Sequence, residues 1–208
     1  MTPSPTSSQD ALARLKEGNR RFVEGTRRQD IGLSHTERAA AARNLNPFAI
    51  ILGCSDARVP AEVVFDQGLG DLFVIRVAGN IVSPSQVGSV EFAAQRFGTQ
   101  LVVVLGHTQC GAILATLEAV RDQADHPENV LTIVERIRPS VQTLLELRPR
   151  ASDDELVLHA VRANVRASVD HLRHGSALLE DLIRRGRLSV VGAEYSLESG
   201  QVEFFETR

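Results

Sequence analysis

The sequence predicts an α/β domain built on a mostly parallel sheet. Three observations predict it. Four apolar runs, 48-FAIILG-53, 72-LFVIRV-77, 101-LVVVLG-106 and 188-LSVVGAEY-195, have the length of strands. The first three are near-continuous rather than alternating, as expected of parallel strands covered on both faces. Helical patterns lie between them, and strands alternating with helices imply a sheet joined by crossover connections.

Taken in order, residues 1–9 are rich in Pro, Ser and Thr and read as a disordered tail. A helical pattern follows over 9–25, with Leu12, Leu15 and Phe22 near one face, Ser8 or Asp10 as candidate cap and Gly25 as a stop. A second helix is expected over 34–43, where Ser34 and Glu37 have the spacing of a capping box. These two make a helical arm over 10–45, ahead of an α/β core over 46–208. Within the core, 85–97 carries Val87, Val90, Phe92 and Ala94 at helical spacing, and 110–121 reads as the helix after the third strand. Residues 130–147 are helical with an interruption at Pro139, and 153–185 is a long helical stretch with a candidate break near Gly175. The final run, 202-VEFFE-206, alternates and suits an edge strand. No repeat and no linker divides the chain, so one domain is expected.

Composition narrows the function classes. The 208 residues are 43% apolar and 24% charged, ordinary for a globular protein large enough to fold without disulfides. The net charge of -3 gives no general attraction to nucleic acid or to an anionic membrane. With no Trp and one Tyr, a base-stacking platform is poorly supplied. The first residues lack the basic start and apolar core of a signal peptide, and no apolar run approaches the ~20 residues of a membrane helix. A cytoplasmic protein is expected.

The chemistry centres on the only two cysteines. Cys54 closes the first strand, and Cys110 follows the third, with His107 three residues before it. Ligands of open α/β sheets bind at the carboxyl ends of strands. If these strands are neighbours, Cys54, His107 and Cys110 converge. Two thiolates and an imidazole suit zinc, and three protein ligands leave the fourth position that catalytic zinc sites keep open. Asp56 is the candidate for that position, and Arg58 can hold it away through a bidentate pair. Each residue has a plainer reading, as a buried cysteine at a strand end or a helix-capping histidine. A thiol redox pair is a further alternative, disfavoured by the lack of a C-x-x-C spacing.

The segments 54-CSDARV-59 and 107-HTQCG-111 resemble the two signatures of the β-class carbonic anhydrases. So do 16-KEGNRRF-22, 66-DQGLGDLFVIRVAGN-80, 88-GSVEFA-93 and 192-GAEYSLESGQVEF-204, in that family's order. The resemblance covers most of the chain; residues 1–9 and the stretch around 121–155 are the least covered. It implies a sheet ordered 2-1-3-4 plus the edge strand. It implies one Zn2+ per chain on Cys54, His107 and Cys110, with an Asp56–Arg58 dyad orienting a zinc-bound hydroxide toward CO2 or gating the metal. Val59, Phe73 and Phe92 would line the CO2 pocket, with Phe92 given by the partner subunit of a homodimer or a larger assembly of dimers. The N-terminal helices would embrace that partner; packing of their apolar face on the same subunit is the plainer reading.

Two subtype markers of the family are absent, because Leu45 stands where some members have Gln and Ile51 where others have Trp. Arg76 and Tyr195 match the other members of the family's inhibitory bicarbonate pocket. The Gly68-Leu69-Gly70 segment precedes a strand and lacks a third glycine, so it reads as a turn and not a nucleotide loop. His171 and His174 are one helical turn apart and read as a solvated face, as does the basic side of 162–174. Any of His35, His126, His159, His171 and His174 could shuttle protons. Rival readings are a hydrolase of another small linear substrate, carbon disulfide or carbonyl sulfide, on the same scaffold, and a non-catalytic zinc-stabilised binding protein.

Overall fold

The structure, a computed structural model, describes residues 6–27, 45–122, 124–148 and 151–205. Its strands are β1 (Ala49–Gly53), β2 (Leu72–Arg76), β3 (Leu101–His107), β4 (Ser189–Tyr195) and β5 (Val202–Phe205). They form one sheet in the order β2-β1-β3-β4-β5. The first four are parallel and β5 runs antiparallel to β4. The expected sheet order and edge strand are both present.

The continuous apolar runs have the predicted cause. Every residue of β1 and β3 is buried. Ala49, Ile51, Val103 and Leu105 pack on one face of the sheet with Leu15 and Phe65. Ile50, Leu52, Val102 and Val104 pack on the other with Val90, Val165, Val169 and Leu179. Burying each large aliphatic side chain in this way contributes about 1.5–3 kcal/mol. A third apolar cluster, containing Ile113, Ile137, Val141 and Leu156, includes Cys54 and Cys110.

The helices are α1 (Ser8–Val23), α2 (Ala61–Val64), α3 (Pro84–Phe97), α4 (Gly111–Arg121), α5 (Glu128–Leu147), α6 (Asp153–His174) and α7 (Ala177–Arg184). The helix expected over 34–43 lies outside the described residues. The cap of α1 is Ser7, not Ser8 or Asp10; its hydroxyl accepts from the Asp10 N–H at 3.1 Å. Fully buried Ala11 and Leu15 set the phase of this helix, which packs on its own subunit. Asn19 ties it down, donating to the Val64 and Gly200 carbonyls and accepting from the Val202 N–H. Gly18 permits the close approach, since a Cβ there would lie 1.8 Å from the Phe65 carbonyl oxygen.

One helix expectation needs correction, and the candidate break near Gly175 is present. Pro139 does not interrupt α5, which runs continuously through it. Pro139 and Glu135, four residues earlier, are both exposed, so water can take the carbonyl that the proline leaves without a donor. The stretch 153–185 is two helices. Gly175 ends α6, and Ser176 caps α7 by accepting from the Leu179 N–H at 3.3 Å. Among the described residues, no helix is long and apolar enough to cross a membrane.

Candidate metal centre

The sheet order makes β1 and β3 neighbours, with Gly53 registered against Leu105. Their carboxyl ends therefore run out side by side. Cys54 is the residue after β1, His107 is the last residue of β3, and Cys110 caps the start of α4. Between the last two the chain turns through Gln109, at φ 56°. The donor atoms of Cys54, His107 and Cys110 all lie within 4.8 Å of one another, and the three residues are buried.

The donor set fits a soft divalent metal. His107 Nδ1 lies 2.9 Å from the Thr108 carbonyl oxygen. A carbonyl only accepts, so Nδ1 carries the proton and Nε2 presents its lone pair. Among the described residues, that buried Nε2 has no hydrogen-bond partner. The two thiols titrate against each other. The hydrogen bond from Cys110 pulls Cys54 down to about 4 against burial, helped by His107 and by the Gly79 and Asp56 N–H groups. The Cys54 thiolate and burial push Cys110 up. Burial pushes the His107 imidazole down and the adjacent Cys54 thiolate pushes it up, with a net upward shift. Two buried thiolates side by side repel, and a bound cation answers both charges.

Asp56 stands at the mouth of this cluster. Arg58 grips it as a fork, Nε to Oδ1 at 2.9 Å and Nη2 to Oδ2 at 2.7 Å, and the Arg58 N–H adds a third bond at 2.9 Å. These bonds hold the Asp56 carboxyl well below the usual carboxylate range, against burial. Asp56 Oδ2 is 3.9 Å from His107 Nε2. The pair opens on a cleft of about 720 Å³ whose apolar wall includes Leu114, Val157 and Leu158.

The sequence profile described as Carbonic anhydrase matches residues 49–202, which span the whole constellation. The chain belongs to the β-carbonic anhydrase family. It is 41% identical over 187 residues to Carbonic anhydrase 2 of Mycobacterium tuberculosis, covering 90% of this chain and 87% of that one. It is 38% identical to the Carbonic anhydrase of Mycolicibacterium smegmatis, covering 91% and 89%. The structure is similar to that of the β-carbonic anhydrase CafA of Aspergillus fumigatus, with TM-score 0.74, 26% identity and coverage of 96% and 91%.

Not every expected site residue joins this centre. Phe73 and Phe92 stack with ring centroids 6.2 Å apart, and Phe97 completes the group. Phe92 is 54% exposed. Val59 packs in the core on the α1 face of the sheet, whereas Phe73 packs against the core on the opposite face. Among the described residues of one chain, Val59 and Phe73 therefore belong to different apolar clusters. Arg76 donates to the Cys54 carbonyl at 3.1 Å and to the Asp56 carbonyl at 2.6 Å, so it braces the loop that carries both residues. His171 and His174 lie outside the donor cluster, and His174 Nε2 faces Asp170 at 3.6 Å.

Some residues around the centre went unread in the sequence. Gly79 donates its N–H to Cys54 Sγ at 3.3 Å. Behind it, Asn164 donates to the Gly79 carbonyl and Ser168 to the Asn80 carbonyl. A signal for the last two was present. Asn164 and Ser168 interrupt the apolar stripe formed by Val157, Ala160, Val161, Val165, Val169 and Leu172. Polar residues on the buried stripe of a helix need buried partners.

Proposed function

We propose that this β-carbonic anhydrase reversibly hydrates carbon dioxide to bicarbonate and a proton, with Cys54, His107 and Cys110 holding one Zn2+ per chain. The observation that carries the reading is the buried His107 Nε2 lone pair, unpartnered among two thiols and beside an arginine-held carboxylate. Zinc bound there would supply a Lewis acid able to activate water near neutral pH.

The protein's own groups do the rest. Thr108 fixes the His107 tautomer so that Nε2 is the ligating atom. Arg58 keeps Asp56 ionised and fixes its plane. Asp56 then accepts a hydrogen bond from the attacking group and aims its lone pair at the CO2 carbon. Turned away from Arg58, the same carboxylate would gate the metal. Leu114, Val157 and Leu158 give the cleft an apolar wall suited to an apolar substrate. In a homodimer or an assembly of dimers, the CO2 pocket would be completed across the seam by Phe92 reaching from the partner subunit; its exposure supports this. A cytoplasmic location, where thiols stay reduced, completes the reading.

The test is stopped-flow CO2 hydration on protein whose zinc content per chain has been measured. One zinc per chain with fast turnover is the expected result. One zinc without turnover favours carbon disulfide or carbonyl sulfide as substrate, or a zinc-stabilised binding protein. Absence of zinc overturns the reading.

A further inference from the structure

We infer that Asn164, assisted by Ser168, is a positioning residue for the metal centre: it fixes the glycine whose N–H hydrogen-bonds the Cys54 sulfur. The inference rests on the metal-site reading above.

The chain from 77 to 80 forms a tight turn, closed by the Asn80 N–H on the Val77 carbonyl at 3.0 Å. On one side it is tied to β1, since the Val77 N–H donates to the Gly53 carbonyl at 3.1 Å. On the other side α6 clamps it, through Asn164 Nδ2 on the Gly79 carbonyl at 2.8 Å and Ser168 Oγ on the Asn80 carbonyl at 3.0 Å. The turn needs that clamp. Gly79 and Asn80 hold φ of 68° and 43°, in the left-handed region. Glycine suits position 79, where its φ is left-handed and a Cβ would lie 2.7 Å from Ile137 Cδ1 and 3.0 Å from Ala112 Cβ.

The result is a fixed donor. Gly79 directs its N–H at Cys54 Sγ, at 3.3 Å. A hydrogen bond to a ligating thiolate draws electron density from sulfur, which alters what the metal receives from it. Asn164 is 2% exposed and Ser168 5% exposed, so both bonds are buried and costly to lose. With the Gly79 carbonyl released, the peptide that carries the N–H loses its orientation. Asn164 thus acts on Cys54 from helix α6 without touching metal, substrate or ligand.

The experiment compares three variants with the wild type, each loaded with cobalt for its spectrum and with zinc for release. Asn164→Leu removes the donor at similar volume. It should shift the thiolate-to-cobalt charge-transfer band and speed zinc release to a chelator by about 10-fold. Ser168→Ala should move both readouts in the same direction by less, and it carries the test if Asn164→Leu does not fold. Val169→Ala, buried one residue along the same helix but packed toward the sheet, should lower stability and leave both readouts alone. An unmoved band and release rate in the folded Asn164 or Ser168 variant overturns the inference, as does an equal shift in Val169→Ala. A wild-type protein that takes up neither metal overturns the metal-site reading itself.

Discussion

Two of the molecule's arginine–carboxylate pairs have contrasting surroundings. Asp56 and Arg58 sit on the loop after β1, where the carboxylate opens on a cleft and one oxygen lies 3.9 Å from an unpartnered imidazole nitrogen. Glu194 and Arg162 join β4 to α6. There Glu194 is 5% exposed, and Arg162 also binds Glu203 and lies 5.7 Å from the Phe205 ring centroid. Every charge in the second pair has a neighbour that satisfies it. In the first, the Asp56 carboxylate faces a donor cluster whose His107 nitrogen is unpaired. The difference teaches that an ion pair gains chemistry from the unsatisfied groups it faces, while its own geometry serves either purpose.

The largest effect should come from erasing that asymmetry. Cys110→Ser is expected to abolish zinc retention and to lower CO2 hydration to background, read by zinc content and stopped flow. Next is the direct contrast. Asp56→Asn should keep zinc and reduce kcat/KM by about 10²-fold or more. Glu194→Gln should leave hydration per bound zinc near wild type and cost about 1.5 kcal/mol in urea unfolding, because a charge-assisted bond becomes a neutral one while Glu203 still holds Arg162. The opposite pattern in these two variants would break the comparison. The effect that changes stability alone extends to α1. Gly18→Ala should cost about 1–3 kcal/mol, since the new Cβ meets the Phe65 carbonyl, with activity per zinc unchanged. Smallest is Ser7→Ala, about 1 kcal/mol in thermal unfolding for the lost cap.

Much of the centre was legible because its donors are placed by strand ends. Once 48–53 and 101–106 read as buried parallel strands, Cys54 and the His107–Cys110 pair had to leave the sheet at the same edge; the adjacency of the two strands came from the resemblance. What stayed hidden depends on long-range contact. Asn164 is 85 residues from the glycine it holds, and a polar residue on a helix carries no mark of its partner. Ser7, Ser8 and Asp10 are each competent caps, and the choice follows from where Ala11 and Leu15 dock. Pro139 signals a break locally, yet α5 carries it on an exposed face where the missing bond is cheap. The separation of Val59 from Phe73 follows from their packing on opposite faces of the sheet, which no local pattern fixes.

Arg76 also bears on how fast the site can rearrange. By gripping the carbonyls of both Cys54 and Asp56, it staples the loop after β1 to the end of β2. The backbone beneath Asp56 is therefore a fixed pivot. Any exchange of the carboxylate between Arg58 and the donor cluster becomes a rotation about side-chain bonds, with the loop at rest. Rotamer exchange of that kind in an accessible side chain runs on the picosecond-to-nanosecond scale, against nanoseconds to microseconds for loop motion. A gate built this way would be timed by the breaking of its arginine fork and not by motion of the loop.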